Sequence, residues 1–196
     1  MAVTAISRAR EARRDDLIAR LIDIFLANGF FDTSIGELAA ELKCSKTTLY
    51  SVADSKEQII VAVVRKFFRR AARRIEERIA DVPPGSDRIR AYLVAISEEL
   101  APASETFFKD LDMFAPTREL YQSNTQIAAE RLHELVLEAV PETSRTEAVF
   151  MGAVAGHVME AIHRGEIEDA TSLDDSAAYL ALANLIVAGV SASREP

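Results

Sequence analysis

Residues 33–58 read TSIGELAAELKCSKTTLYSVADSKEQ, and this stretch decides the fold. Ser34 followed three residues later by Glu37 is a capping box, in which the hydroxyl and the carboxylate each satisfy a backbone N–H that the first helical turn leaves open. The helix it opens, Ile35 to Leu42, has Ile35, Leu38, Ala39 and Leu42 as its apolar positions. Only Lys43 and Cys44 separate it from Ser45, which can cap a second short helix running to Tyr50. Two short helices joined by so tight a turn cannot lie antiparallel, so they have the layout of a helix-turn-helix. Ser55 with Gln58 forms a third capping pattern, and it opens a long helix to about Ala80.

A helix that enters a DNA groove needs small polar side chains near its start, because these reach base edges without holding the backbone away. Thr47 and Thr48 meet that need. Phosphate anchoring needs cations, hydroxyls and the open N–H groups of helix starts. The candidate DNA-contacting set is therefore Ser34, Ser45, Lys46, Thr47, Thr48, Tyr50, Ser51 and Lys56.

Outward from this stretch the apolar spacing stays helical, and the sequence predicts an all-α chain of about nine helices. A first helix from about Arg8 to Asn28 carries Leu17, Leu21 and Phe25 on one stripe and stops at Gly29, which suits a left-handed C-cap. Later helices are expected over Ile89–Leu100, a short one around Phe107–Phe114, one over Thr117–Val140, one opened by Ser144 with Glu147 and reaching Arg164, and a last one over Leu173–Ser191. Pro83-Pro84-Gly85 is the strongest punctuation in mid-chain. It coincides with a charge reversal. Residues 1–80 hold 15 Lys+Arg against 11 Asp+Glu, a balance of +4, while residues 81–196 hold 8 against 20, a balance of -12. The expected division is a domain of residues 1–81 that binds a polyanion and a domain of residues 82–196 that would repel one.

The single Cys44 allows no intrachain disulfide, and residues 1–14 contain four Arg with no apolar signal core, which predicts a cytoplasmic location. Ala177–Val190 is too short for a membrane span, so no membrane partner is expected. No phosphate-binding Gly-rich loop, H-E-x-x-H or G-x-S-x-G pattern occurs. The sequence thus predicts no enzyme and no cofactor.

From Asp16 to about Lys66 the chain resembles the Tet repressor (TetR) family of bacterial transcriptional regulators. The resemblance is carried by Ala27-Asn28-Gly29-Phe30, Thr33-Ser34-Ile35, Leu38-Ala39, Ser45-Lys46, Thr48-Leu49-Tyr50 and Ser55-Lys56-Glu57. It implies an N-terminal DNA-binding domain on a helical body that dimerises through its last two helices and often binds a small molecule that alters the spacing of the DNA heads. The chain departs from the family at Lys43, where Gly is usual, at Cys44, where Val is favoured, and at Ser51-Val52-Ala53, where aromatic or His residues are usual. A Lys at a left-handed turn position costs about 1 kcal/mol.

With that resemblance, the aromatic residues Tyr92, Phe107, Phe108, Met113, Phe114, Tyr121 and Phe150, with His157 as a polar contact, become candidates for a pocket holding a small apolar or aromatic effector. On the helix before Arg164 the face opposite the large apolar stripe is small: Val149, Gly152, Ala153 and Gly156. Together with Leu182, Leu185 and Ile186 of the last helix, it is the expected homodimer interface, and a dimer predicts a palindromic double-stranded operator. Arg73 and Arg74 of the long helix stand too far along it to reach DNA and are expected to meet acidic residues of the body.

One competing pattern is present. Glu130/His133 and Glu160/His163 have the Glu-x-x-His spacing that di-iron helical bundles use. The helical wheel turns both Glu away from their own apolar stripes, which argues for surface pairs.

Overall fold

The computed structural model describes residues 2–139 and 145–192; Ser144 of the expected cap and Val140 lie outside them. Among the described residues the chain forms helices α1 (Ala2–Asn28), α2 (Ile35–Glu41), α3 (Lys46–Leu49), α4 (Lys56–Ile79), α5 (Ser86–Leu100), α6 (Glu105–Met113), α7 (Ala115–Ala139), α8 (Arg145–His163), α9 (Glu166–Thr171) and α10 (Asp175–Ala192). The all-α expectation holds. The first helix starts six residues before Arg8, and the six-residue α9 was not anticipated: it is acidic and has no buried residue, so it leaves no apolar period to read.

These helices form two compact units whose division departs from the expected boundary near residue 82. One unit runs to Arg69 and includes Ala103–Leu120; the other comprises Arg70–Pro102 and the chain from Tyr121 onward. Pro83-Pro84-Gly85 marks the turn between α4 and α5, within the second unit. The chain returns to the first unit as α6, because α6 carries apolar residues that the first unit buries.

In the first unit Leu17, Leu21, Ile22 and Phe25 of α1 are buried with Ile59, Ile60, Val63, Val64 and Phe67 of α4. Burial of each such side chain contributes roughly 1.5–3 kcal/mol. Phe107 of α6 stands edge-on to both Phe30 (6.0 Å between ring centroids) and Phe67 (5.8 Å), and Phe114 stands edge-on to Phe31 (5.9 Å). This ring cluster is the core of the unit.

In the second unit α10 packs on α5 and α8. Its interior includes Ile89, Leu93 and Ile96 of α5, Leu132 and Val136 of α7, Met159 and Ile162 of α8, and Tyr179, Leu182 and Ile186 of α10. Gly152 and Gly156 of α8 are turned inward against α7. A Cβ built on Gly152 would stand 2.9 Å from the His133 Cβ, and one on Gly156 would stand 3.1 Å from the Ala129 Cβ. The two glycines of this face therefore serve close approach within the chain, while Val149 and Ala153 stay exposed. Arg74 pairs with Glu99 at 3.5 Å as expected, whereas Arg73 pairs with Glu77 on its own helix.

Candidate nucleic-acid interface

The site is assembled by caps. Ser34 N–H donates to Glu37 Oε2 (2.7 Å) and Glu37 N–H donates back to Ser34 Oγ (3.2 Å), the expected reciprocal box. These bonds favour the charged carboxylate and hold the Glu37 pKa below its ordinary value. Thr48 N–H donates to Ser45 Oγ at 3.1 Å, so Ser45 caps α3. At α4, Gln58 N–H donates to Ser55 Oγ, but the Gln58 side chain accepts from Asp54 N–H instead of Ser55 N–H. The third pattern is thus a cap with its return arm shifted by one residue.

The turn between α2 and α3 closes by two bonds, Lys43 N–H to the Ala40 carbonyl (3.1 Å) and Cys44 N–H to the Ala39 carbonyl (2.9 Å), the Schellman pattern. Its geometry requires a left-handed residue, and Lys43 has φ +52°. Two arginines of α1 brace the corner: Arg20 Nη2 donates to the Leu42 carbonyl (2.9 Å) and Arg14 Nη2 to the Val52 carbonyl (3.0 Å). Arg20 thereby meets a carbonyl that the end of α2 leaves open. The sequence reasoning missed both arginines, although their place on the polar side of α1 was visible in the pattern.

With Leu49 fully buried beneath α3, Ser45, Lys46, Thr47, Thr48, Tyr50 and Ser51 are all exposed. Ser45 Oγ and Thr48 Oγ1 are 2.9 Å apart, and Ser51 Oγ donates to the Thr48 carbonyl. The Lys46 side chain lies beside Gly36, its Nζ 3.6 Å from where a Cβ would stand. Lys56 is half-buried and its Nζ donates to the Phe31 carbonyl at 2.6 Å, which leaves an ammonium with further donors fixed at the start of α4.

That carbonyl belongs to a loop held from α6. After Gly29 ends α1 with φ +76°, Phe30 N–H donates to Asp110 Oδ2 at 2.5 Å and Phe31 N–H to the same oxygen at 3.0 Å. Phe30 and Asp110 are both buried. Ser104 N–H, just before α6, donates to the Leu26 carbonyl at 2.8 Å. An orphaned buried amide costs about 1–3 kcal/mol, so the carboxylate has a clear role in the fold.

The other expected sites fare differently. Phe107, Phe108, Met113 and Phe114 belong to the first unit, while Tyr92, Tyr121, Phe150 and His157 belong to the second. Phe107 is in the aromatic core, Phe150 is 68% exposed and His157 is exposed. Helical spacing reports which residues turn inward but not into which interior. Of the expected dimer residues, Leu182 and Ile186 are buried in the chain's own core and Gly152 and Gly156 face α7. Val149, Ala153 and Leu185 are exposed. Glu130 accepts a hydrogen bond from Gln126, Glu160 pairs with Arg164, and His163 Nε2 is 2.6 Å from the Tyr179 hydroxyl. Among the described residues no three His, Cys, Asp or Glu side chains assemble a metal site, and the di-iron pattern gains no support. No described helix is long and apolar enough to cross a membrane.

No protein-family model matches the chain. Two uncharacterised helix-turn-helix-type transcriptional regulators from two strains of Mycobacterium tuberculosis are 35% identical to it over 94 residues, 45% of this chain and 45% of each relative. The match thus spans just under half the length of these relatives. Three solved structures share the architecture over nearly the whole chain. A TetR-family transcriptional regulator from Streptomyces coelicolor has a TM-score of 0.68 at 17% identity, covering 99% of this chain and 96% of that one. A TetR-like transcriptional regulator from Rhodococcus sp. has 0.61 at 17%, covering 93% and 96%. A transcriptional regulator of Aquifex aeolicus has 0.59 at 15%, covering 92% and 98%. The chain has the fold of the TetR-family regulators.

Proposed function

We propose that this chain is a sequence-specific DNA-binding transcriptional regulator that acts as a homodimeric, ligand-released repressor on a palindromic operator. The observation that carries the reading is α3, whose buried Leu49 anchors it while Lys46, Thr47, Thr48, Tyr50 and Ser51 stand exposed behind a Ser45 cap. This is the arrangement needed to present polar side chains to a major groove and N–H groups to phosphates. A single head buries too little surface for tight specific binding, so two heads are needed on half-sites about one helical turn, ~34 Å, apart.

Support for the dimer comes from apolar rows that the chain leaves in water. On α8 these are Val149, Phe150 and Ala153, and on α10 they are Leu180, Ala181, Leu185 and Ala188, with Leu185 60% exposed. Apolar exposure of this kind marks an interface, and a second copy fits the two-fold operator. The effector side of the reading rests on the resemblance. Tyr121, His163 and Tyr179 offer it one polar cluster inside the second unit, where the Tyr121 and His163 rings lie 5.0 Å apart. Burial keeps that imidazole neutral, lowering its pKa to about 4, which suits an uncharged aromatic ligand.

The test is selection of bound sequences from a random DNA pool by the purified protein. Recovery of a palindromic consensus, with affinity that falls steeply as salt rises and is lost in a Thr47→Glu variant, supports the reading. A pool that shows no enrichment, or binding with a flat salt dependence, overturns it.

A further inference from the structure

We propose that Asp110 is a positioning residue for DNA binding: from α6 it fixes the loop whose Phe31 carbonyl holds Lys56 against the DNA-facing end. The inference rests on the DNA-binding reading and adds to it a residue outside the helix-turn-helix sequence. Its basis is one continuous chain of contacts within the first unit. The carboxylate of Asp110 accepts from Phe30 N–H at 2.5 Å and Phe31 N–H at 3.0 Å, and the carbonyl of Phe31 accepts from Lys56 Nζ at 2.6 Å. Asp110 thus lies 79 residues from the amide of Phe31 that it holds, while Lys56 grips the other side of the same residue from the start of α4.

The surroundings suit a fixed clamp. Asp110 is 6% exposed and Phe30 is 1% exposed, so water does not compete for these amides. Gly29 leaves the carboxylate room: a Cβ there would meet Asp110 Oδ2 at 2.6 Å and Thr106 Cγ2 at 2.7 Å. Hydrogen bonds to an ionised acceptor are shorter and stronger than neutral ones, and a carboxylate satisfying two successive N–H groups sets the direction of the carbonyl that follows. A Lys stem is flexible, so its ammonium presents a defined donor to a phosphate only where something holds it. Here the holder is the Phe31 carbonyl.

The test uses the full chain and the DNA that wild-type protein selects from the random pool. Dissociation constants are measured at several salt concentrations for Asp110→Asn, Asp110→Ala, Lys56→Gln and the double variant Asp110→Ala/Lys56→Gln, each corrected for its folded fraction. Expected are a loss of roughly tenfold for Asp110→Ala, a smaller loss for Asp110→Asn, whose amide oxygen still accepts, and a salt slope reduced by about one for either single change that frees or removes Lys56. The double variant should bind no worse than Lys56→Gln alone, the signature of two residues acting through one contact. If Asp110→Ala does not fold, the Asp110→Asn and Lys56→Gln pair supplies the same cycle. Wild-type-like affinity and salt slope in folded Asp110 variants, or losses that add fully in the double variant, overturn the positioning role while leaving the DNA-binding reading standing. Failure of wild type to enrich any DNA overturns both.

Discussion

Replacing Lys43 by Gly should stabilise the protein. The residue has φ +52° at the position after the α2 C-cap, and the turn bonds on either side are backbone bonds, Lys43 N–H to Ala40 and Cys44 N–H to Ala39, which Gly keeps. A non-Gly residue in the left-handed region costs about 1–2 kcal/mol, because Cβ crowds the following carbonyl oxygen. Gly returns about 0.5–1 kcal/mol of this through its greater freedom in the unfolded chain. The Lys43 side chain is exposed, so little packing is lost. The net gain is about 0.5–1 kcal/mol, a rise in Tm of about 1–4 °C for a chain of this size. Scanning calorimetry of Gly, Asn and Val variants should give the order Gly, Asn, Lys, Val from most to least stable, because Asn tolerates the left-handed region and a β-branched side chain does not. An unchanged or lower Tm for Lys43→Gly would refute the assignment of strain to Lys43. The same variant removes a cation near α3, so a salt slope of DNA binding reduced by about one would identify Lys43 as a phosphate contact.

If the proposed dimer forms through α8 and α10, Phe150→Glu combined with Leu185→Glu should give monomers in sedimentation while leaving the helical signal intact, since both residues are exposed; a double variant that dimerises as wild type does would remove α8 and α10 as the interface. Gly156→Leu should instead lower stability by about 1–3 kcal/mol, because the added side chain collides with Ala129 of the same chain, and a native Tm would contradict that packing. Ser45→Ala should cost about 1 kcal/mol through loss of the α3 cap, and should weaken DNA binding more than it lowers Tm would suggest; equal DNA affinity of the folded variant would show that α3 keeps its place without the cap. His163 supplies the pH dependence. Its pKa is lowered by burial from 6.5 to about 4, so the unfolded chain takes up the proton first and stability present above pH 6.5 is lost as pH falls toward 4, by up to roughly 3 kcal/mol. A His163→Gln variant should show a flatter decline of Tm over that window, and parallel curves would refute the contribution.

What could be read from the sequence was what is local. Ser34, Glu37 and Ser45 cap their helices as their spacing implies, and Gly29 takes the left-handed conformation that ends α1, because each of these features depends only on neighbours within a turn. The same locality explains the shifted arm at α4: whether Gln58 reaches Ser55 or Asp54 is a matter of one residue of chain direction, which spacing does not encode. Position relative to distant parts of the chain was not legible. Phe107 and Tyr92 both read as inward-facing aromatics, and both are buried, yet they fill the cores of different units.

The glycines of α8 and the carboxylate of α6 carry the same lesson from opposite sides. A small face on a helix states that some backbone approaches closely, but Gly152 and Gly156 would look the same in sequence whether the visitor were α7 or a second copy; at Gly152 it is α7, whose His133 Cβ lies only 2.9 Å from where a Cβ would stand. Asp110 sits in the apolar neighbourhood of Phe107, Phe108 and Leu111, where a helical pattern alone treats an acidic residue as a solvated interruption. Its role becomes visible only when the loop after Gly29 is found to have two amides and one carboxylate to receive them. Buried polar groups must be paired, so an acidic residue on the inward side of a helix is a question about a distant backbone segment. Here the backbone that answers it lies at the start of the helix-turn-helix.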